Sequence, residues 1–122
     1  NYICYTGTHD NDTTVGWFQD NLDTRNREAV AHLLDCPVDN PEEACRRLVG
    51  MAYASRARLA MVPVQDILAL DGKSRMNLPG TAVANWKWRL ESGQLTTAHA
   101  EWLRGLGEKY HRLPAALEKE PG

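Results

Sequence analysis

The sequence lacks a long hydrophobic run and has no marked excess of charge of either sign. No apolar stretch approaches the roughly 20 residues that a membrane-spanning helix needs. Its 122 residues include 14 Lys and Arg against 16 Asp and Glu, which gives a net charge of −2. This balance provides no general attraction to nucleic acid or to an anionic membrane. We therefore expect neither as a partner, and instead expect a small neutral solute or another protein.

Cysteine is scarce and widely spaced. Cys4, Cys36 and Cys45 are odd in number and form no C-x-x-C pair. The sequence therefore predicts neither a disulfide framework nor a zinc site, and a reducing cytoplasm is the expected location.

The length sets a limit on the organisation of the chain. A chain of 122 residues forms at most one domain. It begins with Asn1 rather than Met, and the first strand signal starts at the next residue. We expect residues 1–122 to be a single segment of a longer protein.

Two apolar runs with polar residues directly after them predict strands. Tyr2–Tyr5 precedes the polar cluster Thr6–Thr13, and Leu59–Val64 precedes Gln65 and Asp66. Helical patterns separate the runs, so we predict parallel strands joined by a crossover. Nearly continuous apolar runs are typical of parallel sheets covered on both faces. The order strand, helices, strand, loop, helix predicts a helix-rich α/β fold, about two β/α units of a partial barrel.

Residues that favour helix N-termini occur at four places. The predicted first or capping residues are Asp12 or Thr13, Asp23, Asn40 followed by Pro41, and Thr96–Thr97. The second helix is predicted to end at Leu34, because Pro37 cannot continue it, and the tail after Pro114 is expected to fray. Helical spacing predicts these apolar faces: Val15, Trp17, Phe18, Val30, Leu33, Leu34, Cys45, Leu48, Val49, Ala52, Trp102, Leu103, Leu106, Tyr110 and Leu113.

His9 and Asp10 follow the first strand, and the residues alone leave three interpretations of this pair open. The first is metal binding, although Thr14 and Val15 stand where a calcium loop needs an acid and a glycine. The second is structural, with Asp12 capping a helix and Asp10 accepting hydrogen bonds from loop amides. The third is carbohydrate or acyl chemistry, with Asp10 as a buried carboxylate facing a bound substrate.

A long loop rich in Gly, Pro and Asn runs from Gly72 to Gly93. Its Pro79-Gly80 pair predicts a turn. Such a turn can present the amide of Asn77 to a sugar hydroxyl, because an amide both donates and accepts hydrogen bonds. Trp86 and Trp88 are predicted to pack in the protein rather than to stack on a sugar.

The remaining polar candidates receive ordinary roles. Gln65 and Asp66 either help to shape the site or cap the following turn. His32, His99 and His111 lie on predicted helix faces and are expected to be surface or core residues.

Three motifs follow one another along the chain. They are Tyr5-Thr6-Gly7-Thr8-His9-Asp10-Asn11-Asp12-Thr13, then Pro63-Val64-Gln65-Asp66, then Arg75-Met76-Asn77-x-Pro79-Gly80-Thr81-x-x-x-Asn85-Trp86-x-Trp88-Arg89. Together they resemble the C-terminal part of the 4-α-glucanotransferase family, also called amylomaltase or disproportionating enzyme. The resemblance runs from about Tyr2 to Trp102.

The resemblance implies an enzyme with a (β/α)8 TIM barrel and no cofactor or metal. It transfers α-1,4-glucan segments to glucose or another glucan with retention, which needs two carboxylates about 5 Å apart. In the family these two lie upstream of the Thr-His-Asp motif, so the segment alone is expected to be inactive. The resemblance places at Asp10 the third acid, which holds sugar hydroxyls and favours the transition state. It places at His9 a residue bonded to the same sugar, and at Asn77 a contact to the acceptor-side sugar.

Two other functions remain open. A retaining hydrolase of the same type differs only in its acceptor, and a non-catalytic carbohydrate-binding or interaction module keeps the Trp and Asn surface without chemistry. Two strands alone also leave sheet edges exposed, so self-association of the segment is a further expectation.

Overall fold

A computed structural model describes residues 2–82 and 85–114 of the chain. Two short strands and five α-helices follow one another in this part of the chain, with a π-helical turn at Trp17–Asn21 and a 3-10 turn at Gly72–Ser74. The order differs from the predicted one in a short helix, Val64–Ile67, that directly follows the second strand. The strands and helices are β1 (Ile3–Tyr5), α1 (Thr14–Gly16), α2 (Thr24–Leu34), α3 (Pro41–Ala54), β2 (Leu59–Met61), α4 (Val64–Ile67) and α5 (Thr97–Lys109).

The two strands pair in parallel, as the crossover argument predicted. Ile3 lies opposite Leu59 and Tyr5 lies opposite Met61. The second strand is shorter than predicted, because Pro63 caps α4 and ends the extended run. The prediction that the sheet is buried on both faces was wrong for the described residues. Leu59 and Met61 are 50% and 45% exposed, since α3 packs against the sheet and no described element covers the face that carries these residues.

The predicted helix starts are largely confirmed. The side chains of Thr13, Asp23 and Asn40 each accept a hydrogen bond from a first-turn backbone N–H, at 3.1, 2.8 and 3.0 Å respectively. Asp12 and Thr13 were both predicted as possible caps of α1, and Thr13 is the N-cap in the structure. Thr96 caps α5. The predicted frayed tail after Pro114 lies in residues 115–122, outside the described part of the chain.

The core lies where α2 and α3 meet the π-helical turn. Phe18, Leu34 and Ala44 are buried together there. Two side chains predicted to lie on apolar helix faces are exposed: Leu33 at 73% and Trp17 at 37%. A residue in a helix points about 100° away from its neighbour, so the face that buries Leu34 against α3 turns Leu33 outward.

Cys45 is fully buried on α3, on the side of that helix that faces α4. Its thiol donates to the backbone carbonyl of Asp66 at 3.2 Å. Burial, followed by the nearby charge of Asp66, raises the pKa of the Cys45 thiol to about 12. The thiol is therefore uncharged at neutral pH and serves as a packing residue rather than a nucleophile.

The carboxylate of Asp66 joins three elements. It is only 2% exposed. One oxygen accepts from the Thr6 and Thr14 hydroxyls, both at 2.7 Å, and the other accepts from the Thr14 backbone N–H at 2.9 Å. Since Thr6 follows β1 and Thr14 begins α1, this side chain fixes both ends of the intervening segment against α4.

We expect Asp66→Ala to lower the free energy of unfolding by about 3–5 kcal/mol, because it leaves two buried donors of Thr14 and the partly buried hydroxyl of Thr6 without an acceptor. Urea unfolding of the chain measures the change. Asp20→Ala, at an exposed carboxylate, is the matched control and is expected to change stability by no more than about 0.5 kcal/mol. A cost below about 1 kcal/mol for Asp66→Ala contradicts this role.

Candidate functional site

A tight turn presents His9 and Asp10 at the end of β1. The backbone N–H of Asn11 donates to the Thr8 carbonyl at 3.1 Å. The Asn11 side chain accepts in return from the Thr8 N–H at 2.8 Å and from its hydroxyl at 3.0 Å. His9 and Asp10 are thus the two central residues of a turn closed by backbone and side-chain hydrogen bonds.

The Asp10 carboxylate meets a side chain from the distant loop. The Asn77 amide donates to it at 2.7 Å, across 67 positions of sequence. His9 lies on its other oxygen, at 3.2 Å from Nε2. The structure therefore brings together all three predicted site residues. The expectation of a buried carboxylate was wrong: the Asp10 side chain is 53% exposed and that of His9 56%, because the turn projects beyond the sheet.

Arg75 lies between the turn and the loop. Its Nη2 donates to the Asp10 carbonyl at 3.1 Å and its Nε to the Asn77 carbonyl at 3.0 Å. Its Nη1 lies 4.0 Å from the Asp12 carboxylate. Sequence reasoning assigned no role to this residue, although it opens the third motif.

The environments of three aspartates separate their possible roles. Asp66 has its oxygens occupied inside the protein. The Asp12 side chain is 12% exposed and accepts from the Thr13 N–H at 2.8 Å and the Asn21 amide at 3.2 Å. Asp10 alone of the three projects into solvent with unused lone pairs, so it is the aspartate that can bind a ligand.

The two tryptophans differ. Trp86 is 60% exposed, which contradicts the predicted packing role for this residue, whereas Trp88 is half-buried. The Trp86 ring lies 5.0 Å from the His9 ring, and its backbone N–H donates to the Met76 carbonyl at 2.6 Å. Its φ of +60° is a left-handed conformation that is unfavourable for a bulky residue and common at functional sites.

The predicted Pro-Gly turn beside the site is confirmed. The Thr81 N–H donates to the Leu78 carbonyl at 3.2 Å, and Gly80 takes the positive φ of +84° that the third position of a type II turn requires. Asn85 adds two links across this loop. It accepts from the Leu78 N–H at 2.9 Å and donates to the Thr81 carbonyl at 2.9 Å.

Two cavities meet at the turn. One of about 510 Å³ is lined by His9 and Trp86, and a second of about 720 Å³ is lined by Asp10 and Trp17. Arg75 borders both. Each volume lies in the range of small-molecule sites. Within the described ranges, no group of three or more His, Cys, Asp or Glu is arranged to hold a metal ion.

The other polar candidates support the scaffold. Gln65 lies inside α4 rather than at a strand end, and its amide donates to the Ser74 carbonyl at 3.2 Å. His99 takes part in the cap of α5 through Thr96, and His32 and His111 are exposed.

The fold and the site define a helix-rich α/β chain with a carboxylate, an imidazole and an amide beyond a parallel sheet. The family model described as 4-alpha-glucanotransferase matches residues 1–96. The chain belongs to the 4-alpha-glucanotransferase family.

Curated relatives agree with this assignment. The chain is 42% identical to a 4-alpha-glucanotransferase of Thermus thermophilus over 113 residues, which cover 91% of this chain and 23% of that protein. It is 47% identical to one of Synechocystis over 105 residues, covering 86% of this chain and 19% of the relative. A chloroplastic/amyloplastic 4-alpha-glucanotransferase of Solanum tuberosum is 41% identical over an alignment that covers 93% of this chain and 20% of that protein. The chain thus spans about a fifth of the length of these relatives.

A solved structure has the same arrangement. The chain superposes on amylomaltase from Streptococcus agalactiae in complex with acarbose with a TM-score of 0.83 and 28% identity, over 92% of this chain and 22% of that one. None of the helices within residues 2–82 and 85–114 combines the length and hydropathy that a bilayer crossing requires.

We expect Gly16→Ala to destabilise the chain by about 1–3 kcal/mol. A Cβ at Gly16 would lie 2.7 Å from Cγ of Asp12, closer than packed atoms approach. Gly50→Ala is the matched control, since a Cβ there meets nothing within 4 Å, and it is expected to stabilise α3 by about 0.5–1 kcal/mol.

Thermal unfolding of both variants and of the double variant Gly16→Ala with Asp12→Ala measures the contact. Removing the Asp12 side chain is expected to relieve the clash, so the double variant loses less stability than the sum of its single changes. Additive losses contradict the close approach of Asp12 to Gly16.

Proposed function

We propose that this chain is part of a retaining 4-α-glucanotransferase, which transfers α-1,4-glucan segments to glucose or to another glucan. In this proposal Asp10 holds hydroxyls of the sugar at the point of cleavage, His9 bonds the same sugar, and Asn77 contacts the sugar on the acceptor side. The ligand class is a maltooligosaccharide or α-glucan, which accords with the acarbose bound by the amylomaltase from Streptococcus agalactiae.

The 2.7 Å hydrogen bond between Asp10 and Asn77 is the observation that carries the proposal. It joins a charged acceptor to an amide that keeps one N–H and its own oxygen for a ligand. Sugar hydroxyls both donate and accept, so a carboxylate and an amide side by side match two hydroxyls of one pyranose ring. The imidazole of His9 supplies a third polar group within 3.2 Å of the same carboxylate.

The role of Asp10 is to stabilise the transition state rather than to form a bond. Cleavage builds positive charge on the ring carbon and oxygen, and hydroxyl hydrogen bonds strengthen as this charge develops. A charged acceptor makes such bonds roughly twice as strong as a neutral one. A bound glucan would displace water from this exposed carboxylate, and the lower local dielectric would strengthen the bonds further.

The nucleophile and the general acid/base are proposed to lie on other segments of the whole protein. Asp12 and Asp66 line the cavity beside His9, and their oxygens are held by internal donors. Neither is free to attack a sugar carbon. The nucleophile would bind the ring carbon as the bond to the leaving sugar breaks, and the acid/base would give its proton to the oxygen of that sugar. An acceptor hydroxyl would then displace the nucleophile and return a proton to the acid/base.

The sheet is proposed to be the last part of a (β/α)8 barrel, about two β/α units. The exposed apolar side chains on one sheet face, Ile3, Tyr5, Leu59 and Met61, would then pack against the remaining strands. The isolated chain is expected to self-associate through the same surface. The three free cysteines favour the reducing cytoplasm as the location, although the potato relative is named chloroplastic/amyloplastic.

In the full-length enzyme that carries this chain, Asp10→Asn is expected to lower turnover by roughly 10²–10⁴-fold, because a neutral amide accepts weaker hydrogen bonds from the strained sugar. Disproportionation of maltotriose, followed as glucose release and appearance of longer oligomers, measures it. Asp20→Asn is the control at an exposed carboxylate outside the site. A loss below about threefold contradicts the role given to Asp10.

A non-catalytic carbohydrate-binding module is the second candidate, and the exposed ring of Trp86 is the observation that favours it. The purified 122-residue chain incubated with maltotriose separates the two. We expect no shorter or longer oligomers, since the nucleophile is proposed to lie elsewhere; products from this chain alone overturn that proposal. Saturable quenching of Trp fluorescence that is lost in Trp86→Ala and kept in the control Trp102→Phe would favour the binding module.

A further inference from the structure

We propose that Arg75 is a positioning residue for the Asp10–Asn77 pair, and this inference rests on the function proposed above. Arg75 holds the backbone of both partners through one guanidinium group. The pair itself is a single exposed hydrogen bond between side chains 67 positions apart. A bond of that kind contributes little net stability, so it does not fix the distance between the two loops by itself.

The guanidinium of Arg75 fixes the distance between the two loops, which the Asp10–Asn77 hydrogen bond does not do by itself. Its side chain is 21% exposed and lies against the 12%-exposed carboxylate of Asp12, so its charge is partly balanced and its orientation restricted. From this position it donates to the carbonyls of Asp10 and Asn77 in two directions at 3.1 and 3.0 Å. The planar fork of donors in arginine suits two acceptors with fixed geometry, whereas the ammonium of lysine is a compact point charge on a flexible stem.

Asp12 is in turn held from three sides, which makes it a fixed anchor for Arg75. The Thr13 N–H and the Asn21 amide donate to it. Gly72, in the 3-10 turn just before Arg75, passes so close that a Cβ would lie 3.0 Å from Oδ1 of Asp12. Asp12 therefore meets the loop of Arg75 at two points, Gly72 and the guanidinium of Arg75. The guanidinium in turn holds the backbones of Asp10 and Asn77 in place.

In the full-length enzyme we expect Arg75→Ala to lower kcat by roughly 10–100-fold with little change in KM, since misplacing a transition-state contact by about 1 Å costs up to about a hundredfold. Arg75→Lys is expected to restore only part of this loss, because one ammonium cannot serve both carbonyls. Arg47→Ala is the control, at an exposed arginine that pairs with Glu43 on α3. Full recovery of kcat in Arg75→Lys overturns the proposal in favour of a requirement for charge alone.

A double-variant cycle separates positioning from a general structural effect. If Arg75 acts through Asp10, then Arg75→Ala lowers kcat much less in the Asp10→Asn background than in the wild type. Additive losses in kcat show that Arg75 acts independently of Asp10, and they overturn the inference. The melting temperatures of all variants are also compared. If kcat falls only in proportion to the melting temperature, the effect of Arg75 is a general loss of stability, and the inference is overturned.

A readout that needs no activity keeps this inference distinct from the proposed function. The side-chain amide signal of Asn77, in ¹⁵N-asparagine-labelled enzyme, is identified by its loss in Asn77→Ala. We expect it to shift in Arg75→Ala and Arg75→Lys and to stay in place in Arg47→Ala; an unchanged signal in all three overturns the positioning role. If the signal shifts but Asp10→Asn stays active, the positioning role stands and the proposed function of Asp10 fails.

Discussion

The buried carboxylate of Asp66 is the interaction on which the rest of the structure depends. Removing a carboxylate from water costs several kcal/mol even in a relaxed protein interior, so this group is tolerated only where donors surround it. Thr6 and Thr14 provide those donors; Thr6 directly follows β1, and Thr14 begins α1. The chain between them has both ends fixed against α4. The turn that carries His9 and Asp10 lies in the middle of this segment, so the contacts of Asp66 restrain the turn from both sides.

The same residue type does three different things within this region, and the surroundings decide which. Asp66 is enclosed and has its oxygens occupied by donors, so it can only organise the fold. Asp12 is nearly enclosed, against glycine backbone and an arginine, so it can transmit geometry but not bind substrate. Asp10 reaches solvent on a turn and keeps unused lone pairs. A mechanism based on composition alone would treat the three as equivalent, and only their burial and partners distinguish them.

Features that depend on neighbours in sequence were predictable. Caps at Thr13, Asp23 and Asn40 follow from short side chains that accept from the next turn, and the parallel pairing follows from the length of the crossover. The choice of Asp10 and Asn77 as site residues came from the resemblance, and no pattern in the sequence predicted the hydrogen bond between them. Features that depend on how elements pack were not predictable. Leu33 fits an apolar helix face until the angle between α2 and α3 is known. Trp86 was predicted to pack in the core because it is a tryptophan, but its left-handed backbone turns the ring outward, which the sequence does not show.

Exposure and rigidity coexist at this site because rigidity comes from the backbone and not from burial of the side chains. Asp10, His9 and Trp86 are all largely open to solvent. Their backbones, however, are held by the turn at Thr8–Asn11, by the guanidinium of Arg75 and by the short hydrogen bond from Trp86 to Met76. Ordering a loop of several residues on binding would cost on the order of 1 kcal/mol per residue. Here that cost is met when the chain folds, so a polar ligand gains the full strength of its hydrogen bonds. The left-handed backbone of Trp86, unfavourable by about 1–3 kcal/mol, is the part of this arrangement that the fold must overcome.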